Sequence, residues 1–206
     1  MMPIHTQKRR LTRTNLVRQT GATLIEALVA ILILSFGLMG MAGLQANALA
    51  FQKSSWLTHR VADLSNDIGE RIRSNPTADS RGAYRYIQAY SASPVAIPAS
   101  NGCRQSAAGT CTPIQVANDD LGEWVLKAQA ALPSGAVMLD GDANDGYIVT
   151  AMYSDKGLTD ATGAPISSPV CSAGLTGTAA RNCCPAAASA PPGIRCFRST
   201  ILTRRL

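Results

Sequence analysis

From Ala27 to Gln52 no side chain carries a charge, and a carboxylate, Glu26, stands directly in front of that stretch. The centre of the run reads Ala27-Leu-Val-Ala-Ile-Leu-Ile-Leu-Ser-Phe-Gly-Leu-Met-Gly-Met-Ala-Gly-Leu44. A helix needs about 20 apolar residues to cross a bilayer, so this segment is long enough to span one. Lys8, Arg9, Arg10, Arg13 and Arg18 precede it, with no acidic residue among them. Basic flanks stay on the cytoplasmic side, so the residues after the apolar run are predicted to be translocated.

Charge and cysteines agree with that orientation. The formal net charge of +6 suggests a nucleic-acid or membrane partner, but five of the 19 basic residues lie before Gly21. The remainder carries 14 basic and 13 acidic residues, so the basicity belongs to the N-terminus and not to the domain. All six cysteines follow residue 100: Cys103, Cys111, Cys171, Cys183, Cys184 and Cys196. An even count confined to one region points to disulfides and an oxidising compartment. A zinc site would call for paired C-x-x-C spacing, which is missing.

Three readings of the N-terminus compete. As a secretory signal it would be cut after Ala48-Leu49-Ala50, before Phe51, yet the apolar run is longer than a usual signal core. As a plain anchor it leaves Glu26 unexplained, because a charge near a membrane segment costs a few kcal/mol and usually has a partner. The third reading rests on Thr20-Gly21-Ala22-Thr23-Leu24-Ile25-Glu26-Ala27-Leu28-Val29-Ala30. This stretch resembles the signal of type IV prepilins, in which a basic leader ends in glycine. The resemblance implies that a membrane peptidase cuts between Gly21 and Ala22 and that Ala22 is then N-methylated. The family usually carries phenylalanine where Ala22 stands. Glu26 would be the fifth residue of the mature chain, where the family keeps a glutamate. There it would neutralise the new amine of a neighbouring subunit, since pairing offsets much of the cost of each charge in an apolar filament core.

Leu57, Val61, Leu64, Ile68 and Ile72 recur every three or four residues, which predicts that an amphipathic helix continues past the apolar run. Ser74-Asn75-Pro76 ends it, because a residue before proline avoids the α region. From Ala22 to Ser74 the helix would be a rod of roughly 80 Å. Gly37, Gly40 and Gly43 are expected either to allow close helix packing or to form a soft point that unwinds in a filament. A second helix is predicted over 118–132, with Asp120 as cap and Glu123 completing a capping box. Strands are expected at 136–139 and 147–153, joined by a turn-rich loop at 140–146, and a last strand at 195–203. Residues 91–118 and 154–194 read as long loops.

Further stretches, Phe36-Gly-Leu-Met-Gly-Met-Ala-Gly-Leu-Gln45, Asp67-Ile-Gly-Glu-Arg-Ile-Arg-Ser-Asn75 and Ala131-Leu-Pro-Ser-Gly135, are similar to the PilV type of minor pilin. That resemblance implies an α+β pilin fold: a long N-terminal helix on a small antiparallel sheet with disulfide-stapled loops. It implies a leader at 1–21, a transmembrane and assembly helix at 22–50, and a periplasmic or extracellular domain at 51–206. The implied role is that of a minor pilin which primes or modifies fibre assembly near the tip. Its partners would be other minor pilins, the major pilin, the prepilin peptidase, an inner-membrane assembly platform and a tip adhesin. It would reside in the inner membrane with its N-terminus cytoplasmic, and then in the fibre at the cell surface. A pseudopilin of a type II secretion system shares the same N-terminal logic.

Six cysteines admit many pairings. Cys103 with Cys111 would close a local loop. Cys183 and Cys184, being adjacent, are expected to pair outward with Cys171 and Cys196, and which takes which stays open. A bridge from the last strand to the loop before it is what the pilin resemblance implies. Asp140, Asp142, Asn144 and Asp145 suggest a calcium loop, but glycine and glutamate miss the required positions, so a polar turn is expected and no metal or cofactor. Arg71, Arg73, Arg81, Tyr84, Arg85, Tyr86 and Tyr90 mix charge with aromatic rings, as single-strand binders do; a solvated helix end with sheet packing is the expected reading, and DNA capture for uptake the alternative. His5 and His59 are the histidines, no catalytic motif is present, and an enzyme is not expected.

Overall fold

The computed structural model of the protein describes residues 23–79, 81–91, 97–103 and 111–202. It is an α+β chain. Helix α1 runs over Leu24–Ser74 and α2 is one turn at Pro76–Asp79. Helix α3 spans Pro113–Ala131, and strands β1 and β2 cover Ala136–Asp142 and Gly146–Ser154. A short α4 (Gly177–Asn182) and a 3-10 turn (Ala186–Ala188) precede β3, Ile194–Ile201. The strands form one antiparallel sheet in the order β1-β2-β3. The chain divides into two compact units at Ala50, within α1.

In the second unit, one edge of α1 is sealed. Leu57, Val61, Leu64, Ile68 and Ile72 are buried, at the spacing of one helical face. They share a core with Leu121, Trp124, Val125 and Ala128 of α3 and with the inward residues of the sheet: Val137, Leu139, Tyr147, Val149, Ala151 and Tyr153. Trp124 is fully buried and its indole N–H donates to the Leu64 carbonyl at 2.9 Å. That bond holds α3 against α1 and satisfies a donor that burial would otherwise leave unpaired.

The other face of the sheet is also covered. Ala136, Met138, Met152, Ile194 and Cys196 pack with Cys184 and Ala188, partly covered by Ile87 and Tyr90. The long stretch between β2 and β3 supplies much of this lid. A sheet buried on both faces explains why β1 begins with four consecutive buried residues rather than alternating ones.

Several expected boundaries move. The second helix begins at Pro113, not near 118, because Thr112 caps it: Thr112 accepts from the Gln115 N–H, and Gln115 reaches back to the Thr112 backbone. Proline at the first helical position fits this start. Asp120 is therefore mid-helix and buried, not a cap. The hairpin extends through Asp142↔Gly146, which shortens the expected 140–146 loop to a turn at 143–145. Gly141 permits this: its φ is +128°, and a Cβ there would stand 2.1 Å from the Gly146 carbonyl oxygen. The last strand spans 194–201 in place of 195–203. The region read as loop at 154–194 contains α4, the 3-10 turn and a parallel bridge between Val170 and Cys184.

Candidate functional site

The candidate site is the first half of α1. The Thr23 carbonyl accepts from the N–H groups of Glu26 and Ala27 at 3.0 and 3.2 Å. Glu26 sits in the first turn, where the positive end of the helix dipole favours a carboxylate. Around and after it Leu24, Ile25, Leu28, Val29, Ile31 to Leu34, Phe36, Leu38, Met39, Met41, Leu44 and Leu49 are all exposed. Among the described residues, an 18-residue apolar window of this helix has none of its residues buried, and the helix is long and apolar enough to cross a membrane. The Ser35 hydroxyl donates to the Ile31 carbonyl at 2.7 Å, so it needs no water. The helix runs unbroken past Gly37, Gly40 and Gly43, and a Cβ at any of them would meet nothing within 4 Å. The unwinding considered for these glycines is absent from the single chain.

The expected cleavage and methylation positions, Gly21 and Ala22, lie outside the described residues, as does His5. Glu26 is exposed, two residues into α1. His59 is exposed on the same helix. All six cysteines are bridged: Cys103–Cys111, Cys171–Cys183 and Cys184–Cys196. The adjacent cysteines, both buried, bridge to separate partners and not to each other, and β3 is tied through Cys196 to the segment before it.

The basic and aromatic cluster is partly engaged within the fold. Arg71 is 15% exposed and its guanidinium binds Asp120 and Glu123 of α3, each at 2.9 Å, with Asp67 at 3.5 Å. Burial alone would lower the Arg71 pKa, but its bonds to Glu123 and Asp120 raise it, so it stays charged. Arg73 pairs with Glu70, and Arg85 with Asp140. Tyr84 and Tyr86 are buried, so their rings are not offered to bases; Tyr90 is half-buried and Arg81 exposed. The Tyr84 hydroxyl donates to Asp120 at 2.8 Å, and Tyr147 donates to Asp79 at 2.7 Å. Burial and then the facing carboxylate push both phenols well above the ordinary tyrosine value.

The acidic turn is likewise occupied by local bonds. Asp142 accepts from the N–H groups of Asn144 and Asp145, and Asp140 faces Arg85. Among the described residues no group of three or more histidine, cysteine, aspartate or glutamate side chains converges to hold a metal.

Sequence reasoning overlooked the junction of Arg71, Asp120 and Tyr84. A signal was available: Asp120 stands four residues before Trp124, and Arg71 three after Ile68, so each polar group lies on an apolar stripe. Asp119 was overlooked too. It accepts from the backbone N–H groups of Asn101 and Cys103. Burial works to raise its pKa, but these bonds hold it below the ordinary aspartate value. It thereby fixes the entry to the Cys103–Cys111 loop.

Compared with protein-family models, curated proteins and solved structures, the chain matches none.

Proposed function

We propose that the chain is a minor pilin of a type IV pilus, carrying the pilin fold, inserted in the inner membrane and then taken into the fibre to prime or modify its assembly. One observation carries this reading. A continuous helix bears a glutamate in its first turn and an exposed, uncharged apolar half, and its later half is the core of a disulfide-bonded α+β domain. A membrane anchor alone gives no task to Glu26. In a filament, the amine freed at Ala22 of one subunit meets the Glu26 carboxylate of the next, and the pair fixes the axial register as well as neutralising charge. Major and minor pilins, the peptidase, the assembly platform and a tip adhesin are its partners on this reading.

The mass of the N-terminal peptide of the mature protein, taken from membranes, tests it. A start at Ala22, with or without an added methyl, is expected. A start at Phe51 would mean ordinary signal cleavage and would end the proposal. Loss of surface pili on deletion of the chain separates a pilus subunit from a secretion pseudopilin, which would leave pili intact.

A further inference from the structure

The fold uses one tryptophan and leaves the other outside. Trp124 is completely buried, whereas Trp56 is 46% exposed, although neighbouring Leu57 and Val61 are sealed in the core. Removing such a ring from water is favourable, and this fold leaves nearly half of it exposed. The Trp56 indole is paired instead with Arg60 one turn on, whose guanidinium carbon lies 5.1 Å from the ring centre. That is cation–π range.

Position and charge indicate the partner. The uncharged run ends at Gln52, Lys53 is the next charge, and Trp56 and Arg60 follow within two turns. From Ala27 to Ala62 there is no acidic residue. The segment where the helix leaves its apolar half is therefore purely basic. Membrane helices place tryptophan and basic residues at this level, because the indole is a flat apolar body with a polar N–H and the adjoining layer is rich in phosphate.

We infer that Trp56 and Arg60 form a bilayer-surface anchor, with the indole in the headgroup layer and the guanidinium on lipid phosphate. The anchor sets how far α1 sinks into the membrane before the subunit leaves it. This rests on the membrane step of the function proposed above and assigns a task to residues which that proposal leaves idle.

The test uses the full chain in vesicles of phosphatidylcholine and phosphatidylglycerol that carry a nitroxide either on the headgroup or near the end of the acyl chain. Headgroup nitroxide is expected to quench the wild-type tryptophan emission and to leave Trp56→Phe, whose remaining Trp124 is buried, unquenched. The chain-end nitroxide should quench neither. Arg60→Glu, which sets a carboxylate against lipid phosphate, should weaken the headgroup quenching. Vesicle-bound protein that is quenched equally with and without Trp56, or most strongly from the chain end, would overturn the inference. So would an unchanged Arg60→Glu, for the part assigned to the guanidinium. Failure of the protein to float with vesicles at all is a separate result and would remove the membrane reading itself.

Discussion

Asp120 receives the Arg71 guanidinium on one oxygen and the Tyr84 hydroxyl on the other, and is only 5% exposed. Replacing it with alanine takes one of two carboxylates at 2.9 Å from Arg71, leaving Glu123, and removes the carboxylate acceptor of the Tyr84 hydroxyl. Losing hydrogen bonds to a buried charged group costs about 2 kcal/mol, so Asp120→Ala is expected to lower the stability of the domain by that order in urea titrations. Tyr84→Phe, which removes one bond and leaves the ion pair, should cost about 1 kcal/mol. The phenols also predict an alkaline limit. All five tyrosines, at 84, 86, 90, 147 and 153, have pKa values raised above the ordinary 10.0, chiefly by burial. The folded state holds these protons more tightly than the unfolded chain does. The resulting stability is complete below pH 10 and is lost as pH rises from there toward the folded values. Phenolate absorbance should therefore stay low through pH 10 and then rise together with unfolding. Gradual ionisation of folded protein near pH 10 would contradict this.

At the scale of elements, periodicity was informative and end signals were less so. The apolar stripe from Leu57 to Ile72 is the buried edge of α1, and Asn75-Pro76 stops that helix. The start of α3 was legible only in part. Asp120 with Glu123 imitates a capping box, and so does Thr112 with Gln115; spacing alone does not separate them. What decides is tertiary: Arg71 needs a buried carboxylate, so Asp120 is consumed inside the helix. Thr112→Ala is expected to cost about 1 kcal/mol, measured as a shift in the urea midpoint at unchanged slope. The same denaturation of Glu123→Gln should show a loss of about 1 kcal/mol, because that change weakens the bond to Arg71 and not a helix cap.

For the whole molecule, the α+β class, a helix long and apolar enough to cross a membrane and the disulfide-rich domain were readable from composition and pattern. The exposed apolar half was readable because a run of uncharged residues has few folded fates. The lid over the second sheet face was not. Ser, Ala, Gly and Pro between 154 and 194 carry no period, and the segment is placed by two bridges and by buried Cys184, Ala188 and Ile194 instead. Removing the Cys184–Cys196 bridge by paired alanine substitution should cost about 3 kcal/mol and expose Met138 and Met152 to oxidation, readable by peptide mass. The neighbours Cys183 and Cys184 have one more consequence. Each is pulled toward a different partner, so the nearest wrong isomer is an exchange between adjacent residues, 171 with 184 and 183 with 196. That exchange alters no loop by more than one residue, and chain-entropy differences hardly oppose it. Only the packed lid tells the two isomers apart. An oxidant acting before the sheet has closed would therefore produce both, and the wrong isomer would have to exchange its thiols before the lid could pack.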